Sequence, residues 1–585
     1  MSIIDVLSSI VGDAFAAEGL NSALGRVVFS DRPDLAQFQC NGALAAAKAA
    51  KKNPREIGAA VAARLEADKR FEKVALAGPG FINLTATDAF LTEEIRAIAG
   101  DGRLGGWRNQ EPETIVLDYG GPNVAKPLHV GHVRTAVLGE SLKRLMRFCG
   151  DQVTGDIHLG DWGLPMGQLI SEIARERPDL PYFDESFEGP YPEEAPVTLE
   201  DLERLYPQAS AACKADKARL EEARLATAQL QAGRPGYRAL WRHFIDVSHA
   251  ALAREYGDLG VTFDLWKGES DVDHLIAPMA EELRAKGIVE KSDGAQIIQV
   301  ARPDDKKETP PLILFKSDGS VLYGTTDLAT ILDRVRTIAP TRMLYVVDQR
   351  QALHFEQVFR AADKAGYFDA DRLEHLGFGT INGPDGKPFK TRDGGVLRLR
   401  ALIDQVRERA LERMAEAHIA EGYSEEERTD IANKIGLAAL KFGDLSNVRT
   451  SDYIFDIDRF VAFEGKTGPY LQYAAVRIKS ILRKADEAPN AAAITLAAPA
   501  ERDLALAMLA FAPAVRSAYE KRQPHILCDF VFNLAQSFSK FYAAHHILSE
   551  EDAHLRASRL ALAAAAGRQI ELTLDLLGVE TPERM

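Results

Sequence analysis

Residues 114–132 read TIVLDYGGPNVAKPLHVGH, and this stretch decides the fold. Its first six residues are mostly apolar and β-branched, which predicts a buried strand that ends at Gly120-Gly121-Pro122. A helix is predicted from about 131 to 148. Further strands are predicted at 153–158, 312–315 and 343–347, and further helices after Asp161, at 327–336 and at 353–365. Strands that alternate with helices are typical of a parallel, doubly wound sheet.

The rest of the chain divides around this alternating region. Residues 1–110 read as an α+β unit, with helices at 43–50, 54–67 and 90–99 and strands at 73–77 and 81–84. Residues 111–400 form the Rossmann-type region, with an insertion at about 165–305. Residues 401–467 read as a helical connection and 468–585 as an all-helical module. The predicted fold class is therefore α/β, with an α+β N-terminal domain and an all-α C-terminal domain.

Composition and charge exclude several classes of protein. The net charge is −15, which argues against a protein that coats DNA or RNA non-specifically. Residues 1–110 and 468–585 each carry 13 basic and 13 acidic side chains, so the whole excess lies in residues 111–467. An acidic centre suits a cationic substrate. No stretch approaches a membrane span, and residues 1–20 lack a basic leader, so a cytoplasmic protein without membrane attachment is expected.

The cysteines predict neither disulfides nor a metal site. The four cysteines, Cys40, Cys149, Cys213 and Cys528, are far apart in the sequence, and no Cys-x-x-Cys occurs. A structural zinc site needs closely spaced ligands, so no zinc is expected.

Two histidines begin the predicted helix at 131–148. His129 and His132 are three residues apart and therefore project from one face. A helix N-terminus presents free N–H groups and positive potential to phosphate, and imidazole donors beside it stabilise charge that grows during displacement at phosphorus. Gly131 would allow a nucleotide base to lie against the backbone. The alternative is a pair of helix-capping histidines without chemistry.

This stretch resembles the signature of class I aminoacyl-tRNA synthetases, and the lead-in Pro-Asn-x-Ala-Lys-Pro-Leu resembles that of the arginine enzymes. The resemblance implies that His129 and His132 stabilise the transition state at the α-phosphate of ATP. It implies that Lys126 adds a positive charge directed at phosphate. The expected ATP site therefore comprises His129, Gly131 and His132 with two lysines of a later loop.

That loop is Gly386-Lys387-Pro388-Phe389-Lys390-Thr391-Arg392. It takes the place of the class-wide Lys-Met-Ser-Lys-Ser, from which it departs at three positions. By the resemblance, Lys387 and Lys390 hold the departing pyrophosphate. The departure leaves open which lysine matters more, and an ordinary basic surface loop is the alternative.

Substrate choice requires a carboxylate for a guanidinium. Tyr323 and Asp327 are four residues apart at a predicted strand-to-helix junction, a spacing that would turn both toward one pocket. In the family the matching tyrosine and aspartate hold the arginine side chain. The alternative for Asp327 is a helix N-cap.

Other residues match the family's amino-acid site. Asp118 and Asn123 correspond to residues at the α-ammonium and carboxylate end of arginine, and Gln351 to another substrate-contacting residue. The block 158–163, His-Leu-Gly-Asp-Trp-Gly, resembles a segment that lines the active site.

The flanking regions resemble the family's tRNA-binding domains. Phe38, Gln39 and Asn41 match its N-terminal domain, which contacts the tRNA elbow, and an exposed phenylalanine beside two amides suits base stacking and base-edge contacts. Core packing is the alternative for Phe38. Tyr470 and Arg477 open a module that resembles the anticodon-binding domain, and the ending at Met585 matches the family's C-terminus.

The resemblance therefore implies an arginyl-tRNA synthetase activity with ATP, arginine and tRNA as partners and Mg²⁺ as the ATP counter-ion, and a monomer is expected. Three alternatives stay open at this point. They are a class I synthetase for another amino acid, a non-catalytic tRNA-binding relative and a small-molecule nucleotidylyltransferase. The role of the insertion at 177–235 is also open.

Overall fold

The computed structural model describes residues 2–383, 385–387 and 397–585, without the side chain of Ala49. The strands are β1 Val27–Phe29, β2 Phe38–Cys40, β3 Phe71–Ala77, β4 Phe81–Ala86, β5 Thr114–Tyr119, β6 Gln152–Leu159, β7 Leu265–Gly268, β8 Val289–Ser292, β9 Ala295–Ile298, β10 Leu312–Phe315, β11 Arg342–Val346, β12 Leu373–His375, β13 Ile381–Asn382 and β14 Tyr453–Ile454.

The α-helices are α1 Ile3–Ala17, α2 Gly42–Ala50, α3 Pro54–Leu65, α4 Asp88–Gly100, α5 Val130–Cys149, α6 Leu164–Glu176, α7 Leu199–Ala215, α8 Lys217–Gln231, α9 Pro235–Asp258, α10 Glu269–Ala285, α11 Tyr323–Thr337, α12 Ala352–Ala365, α13 Leu399–Glu416, α14 Glu425–Leu445, α15 Ile457–Phe460, α16 Gly468–Lys484, α17 Pro499–Leu509, α18 Phe511–Lys521, α19 His525–Ala544 and α20 Ala553–Leu576. No helix among these described residues is long and apolar enough to cross a membrane.

The centre of the alternating region is a five-stranded sheet in the order β12-β11-β5-β6-β7, in which every neighbouring pair is parallel. The predicted strand at 114–119 is confirmed as β5, and it is buried over most of its length because both faces are covered. The chain leaves β5 toward β6 on one side and returns to β11 on the other. The strand order therefore reverses between β5 and β11, which is where open α/β sheets bind their ligands.

The structure differs from the sequence prediction at one strand of the alternation. Residues 312–315 do form a strand, but β10 pairs with β9 in a separate antiparallel sheet of order β10-β9-β8. The fifth strand of the parallel sheet is β7, which lies inside the predicted insertion. Strands β7 and β10 each have only four residues. So short a segment shows too little periodicity to indicate whether it belongs to the parallel or to the antiparallel sheet.

The chain forms two compact units, and the one without the parallel sheet contains a single antiparallel sheet among its described residues. That unit comprises Met1–Asn109, Arg413–Ala438 and Ala462–Met585. Its sheet has the order β1-β2-β4-β3, and helices α16 to α20 belong to the same unit. Arg502 of α17 donates two hydrogen bonds to Asp88 of α4, at 2.6 and 2.7 Å. The α+β and all-helical parts predicted from the sequence are both present. The unit that carries the parallel sheet comprises Gln110–Glu412 and Ala439–Val461.

Candidate active site

A cleft of about 420 Å³ opens where the strand order reverses. Its walls include the last residues of β5 and β11, Asp118 and Tyr119 facing Tyr345 and Val346, which are direct neighbours in the sheet. Six residues predicted for the ATP and arginine sites line it, namely Asp118, His129, Gly131, His132, Asp327 and Gln351. Residues that are more than 200 positions apart in the sequence therefore meet at one site.

The two histidines are locked at the start of α5 by their Nδ1 atoms. Nδ1 of His129, the N-cap residue, accepts the backbone N–H of Gly131 at 3.1 Å. Nδ1 of His132 accepts the backbone N–H of His129 at 3.1 Å, and the ring centroids are 3.9 Å apart. The two histidines therefore do cap the helix, as the alternative interpretation predicted, but each uses only one ring nitrogen to do so. Because Nδ1 accepts, the neutral ring carries its proton on Nε2, which is left to donate to a ligand.

Both imidazoles are held in the neutral form. Burial lowers the pKa of His129, and the charge of Lys126 lowers it further. Burial, His129 and Lys126 together lower the pKa of His132 to about 3. A β-carbon at Gly131 would lie 2.8 Å from Cε1 of His129, so glycine allows that ring to fold over the helix start.

A buried ion triad lies beneath the predicted ammonium site. Nη2 of Arg334, which is 1% exposed, donates to Asp118 at 2.5 Å and to Asp156 at 2.6 Å. Burial raises the pKa of Asp118, and the guanidinium works against that rise. The triad thus has two carboxylates for one guanidinium, and Asp118 is its member that lines the cleft. Arg334 could not be predicted from the sequence, because an arginine in an amphipathic helix is normally solvated.

Asp327 does not cap α11. The N-cap residue is Leu322, and Asp327 lies one turn further along the helix. Its Oδ2 atom is 2.5 Å from Nε2 of His354 at the start of α12. The carboxylate is therefore fixed from one side and has its second oxygen left for a ligand. The helix-cap alternative is wrong.

Two more carboxylates share the environment of Asp327. Glu269 is the first residue of α10, and burial together with the charges of Asp161 and Asp327 raises its pKa to about 8. Asp161 itself is buried and accepts hydrogen bonds from the backbone N–H (2.9 Å) and hydroxyl (2.5 Å) of Ser270. Clustered carboxylates disfavour each other's charged form, and a bound cation would relieve that repulsion. Glu269 could not be predicted from the sequence, because one glutamate at a helix start gives no signal of its own.

Four described residues predicted for the ATP and arginine sites lie outside the cleft lining, namely Asn123, Lys126, Tyr323 and Lys387. Tyr323 begins α11 and is 65% exposed. Partial burial raises the pKa of its hydroxyl, and the nearby charges of Glu269 and Asp327 raise it further. Asn123 forms a parallel bridge with Gly160, an arrangement that ties the lead-in loop to the end of β6. Lys126 places its ammonium 4.5 Å from the ring centroid of Tyr206.

The predicted lysine loop is described only at its start. Lys387 is exposed, and its backbone N–H donates to Asp385 at 3.1 Å while its carbonyl accepts from Gly383 at 2.8 Å. Lys390 lies outside the described residues. The chain after the loop pairs with residues 128–132, here called the histidine signature, since Arg398 forms an antiparallel bridge with His129.

The predicted tRNA residues of the N-terminal region differ in exposure. Phe38 is fully buried and packs against Phe29, with ring centroids 5.2 Å apart. The expected exposed, base-stacking phenylalanine is therefore wrong, because alternate residues of β2 face the core. Gln39 is half-buried and donates to Asn83 at 3.3 Å, while Asn41 is exposed.

The predicted residues of the helical module lie at its surface. Tyr470 is half-buried against Phe532, with centroids 5.8 Å apart. Arg477 is exposed and places its guanidinium 4.5 Å from the ring centroid of Tyr542. Met585 is half-buried at the end of a tail that Lys479 holds through Glu583, at 2.8 Å.

Comparisons with known proteins agree along the whole chain. Residues 94–457 match the model of the class I tRNA synthetase (R) catalytic domain, 471–585 the DALR anticodon-binding domain, and 2–86 the arginyl-tRNA synthetase N-terminal domain. An arginine–tRNA ligase of Maricaulis maris is 57% identical over 100% of both chains, and one of Hyphomonas neptunium is 56% identical over 99% of both. The solved arginyl-tRNA synthetase of Plasmodium falciparum shares the fold, with a TM-score of 0.83 at 23% identity, over 100% of this chain and 99% of that one.

Proposed function

Because the chain belongs to the arginyl-tRNA synthetase family and joins arginine to tRNA with ATP, we propose that the cleft between β5 and β11 carries out both chemical steps. The observation that supports this is the meeting of the neutral pair His129 and His132 with the carboxylates Asp118 and Asp327 around one space of about 420 Å³. The two imidazoles can donate hydrogen bonds to a phosphate, and the two carboxylates can pair with the α-ammonium and guanidinium groups of arginine.

In the first step, the carboxylate of arginine attacks the α-phosphorus of ATP in line, and pyrophosphate leaves with the bonding electrons. Nε2–H of His129 and of His132 donate to the α-phosphate oxygens as their charge grows. Lys126, Lys387 and Lys390 attract the leaving pyrophosphate, and Mg²⁺ accompanies ATP as its counter-ion. In the second step, a hydroxyl of the terminal ribose of tRNA attacks the carbonyl carbon, and AMP leaves.

Arginine is oriented by charge at both ends. Asp118 receives the α-ammonium group, whose positive charge balances the second carboxylate of the triad, and Asn123 and Gln351 complete that end. Asp327 and Glu269 receive the guanidinium, whose planar fork matches carboxylate oxygens. Tyr323 covers the outer side of the guanidinium at the exposed start of α11.

The acidic cluster predicts a pH dependence of arginine binding. Glu269, with a pKa of about 8, is mostly protonated below that pH, and a bound guanidinium requires the charged form. The KM for arginine should therefore fall on the order of tenfold between about pH 7 and about pH 8.5. Glu269→Gln should raise the KM for arginine and abolish its dependence on pH. The KM for ATP, measured in parallel, serves as the control, and an unchanged slope in the variant would remove Glu269 from the site.

The helical module and the N-terminal region provide the tRNA contacts. We assign Tyr470, Arg477 and the end at Met585 to the anticodon side, and Gln39 and Asn41 to the tRNA elbow, where amides contact base edges. The protein acts in the cytoplasm as a monomer. Light scattering on the purified protein tests the monomeric state.

Adenylate formation should depend on tRNA, as in the family. With arginine, ATP and labelled pyrophosphate alone, exchange should stay near background, and cognate tRNA should switch it on. The same tRNA with its terminal ribose oxidised should still support exchange but accept no arginine, which separates activation from transfer. Strong exchange without tRNA would contradict the expectation. Charging of total tRNA with each labelled amino acid in turn tests the substrate itself.

A further inference from the structure

Helix α7 lies in the inserted segment whose role the sequence leaves open. Its start is fixed by reciprocal hydrogen bonds between Thr198 and Asp201. Leu202 and Leu205 are buried. Glu203 and Tyr206 are three residues apart and thus on one face. Each contacts a residue close to His129: Tyr206 contacts Lys126, and Glu203 contacts Arg398, which bridges His129.

The first contact is between Tyr206 and Lys126. The ammonium of Lys126 lies 4.5 Å from the ring centroid of Tyr206, within the range of a cation–π interaction. The preceding residue, Ala125, has φ +62, a backbone conformation that a β-carbon makes unfavourable. Its N–H donates at 3.0 Å to Ser248 on α9, which is also inserted. Inserted helices therefore hold the segment that carries Lys126 in a conformation it would not adopt alone.

The second contact is between Glu203 and Arg398. Nη1 of Arg398 is 2.8 Å from Oε2 of Glu203, whose side chain is only 11% exposed. Arg398 follows the predicted lysine loop in sequence, and its neighbours pair with the backbone of the histidine signature. Val130 donates to Leu397 at 3.0 Å, and Leu399 donates to Leu128 at 2.9 Å. One acidic side chain of α7 therefore anchors the strand segment opposite His129.

We propose that α7 is a positioning element for ATP. Tyr206 positions the ammonium of Lys126. Glu203 positions the segment around Arg398, which pairs with the histidine signature. The inserted helix thereby fixes the distance between a phosphate-directed lysine and the histidines. This inference rests on the proposed function, because it takes Lys126 to contact the phosphates of ATP.

The test is tRNA-dependent ATP–pyrophosphate exchange by the full-length protein. Tyr206→Leu and Glu203→Gln should each raise the KM for ATP about three- to tenfold and lower kcat. The KM for arginine should stay within about twofold. Tyr206→Phe keeps the ring face and should behave as wild type. The charge swap of Glu203→Arg with Arg398→Glu should recover much of the activity that either single change removes, which assigns the effect to this ion pair. A rise in the KM for ATP without a rise in the KM for arginine separates positioning from a merely structural role. Glu200→Gln, an exposed acid on the same helix, is the matched control.

Two outcomes would overturn the inference. Kinetic constants within about twofold of wild type in both variants would show that α7 does not position the site. An equal rise in the KM for arginine and for ATP would indicate general loosening of the fold. Lys126→Met separates the role of α7 from the role of Lys126 itself. If it raises the KM for ATP and Tyr206→Leu does not, only the role of α7 fails, and if neither does, the proposed role of Lys126 fails as well.

Discussion

Replacement of His132 by asparagine should lower kcat for adenylate formation by about 10²–10³-fold, with the KM for ATP nearly unchanged. The side-chain oxygen of asparagine replaces Nδ1 as the acceptor for the backbone N–H of His129, a bond of 3.1 Å in the wild type. The substitution therefore keeps the helix start and removes only Nε2–H. Since that donor acts on charge that appears in the transition state, its loss affects the rate rather than binding.

Single-turnover formation of arginyl-adenylate, with saturating arginine and bound tRNA, measures this step directly. His129→Asn should have a similar effect, and His132→Ala a larger one, because it also removes the acceptor at the helix start. The wild-type rate should not decline as the pH falls from about 8 to about 6, because the pKa of His132 is lowered to about 3. If the variants bound ATP more weakly but kept the wild-type rate, the histidines would contribute only to ATP binding and not to stabilisation of the transition state.

The alternating part of the fold could be predicted because its signals are local. The apolar run at 114–119, the break at Gly120 and the helix from 130 to 149 are determined by residues close together in sequence. The site could be predicted where motif residues follow the carboxyl end of a strand. The topology brings such ends together, so Asp118 and the histidines meet.

Other features depend on contacts between distant segments and leave no local signal. The pairing of Arg334 with Asp118 and Asp156 joins α11 to two strands, and each residue alone reads as an ordinary charge. Residues 312–315 have the same pattern whether they pair in a parallel or an antiparallel sheet. Phe38 reads equally well as an exposed stacking residue and as core, and only the packing of Phe29 beside it decides.

Asp327→Asn should raise the KM for arginine by about 30-fold or more, because truncating one partner of a buried charge pair costs roughly 2–5 kcal/mol. The amide keeps the shape of the side chain and can still accept a hydrogen bond from His354, 2.5 Å away in the wild type. What is lost is the negative charge toward the guanidinium. The KM for ATP should change little, because the histidine pair is untouched. The binding of citrulline, whose ureido group is neutral, should be weakened less than the binding of arginine. The preference of the enzyme for arginine over citrulline should therefore become smaller.

Steady-state charging of tRNA over an arginine titration measures the effect, with citrulline as a competitor. His354→Asn is the matched control, since it keeps the charge of Asp327 and removes much of its support. It should raise the KM for arginine less than Asp327→Asn does. If Asp327→Asn leaves the KM for arginine within about twofold of wild type, Asp327 does not bind the guanidinium. The negative charge that selects arginine would then have to come from Glu269 and Asp161, whose carboxylates lie in the same cluster, and Glu269→Gln would show the larger loss.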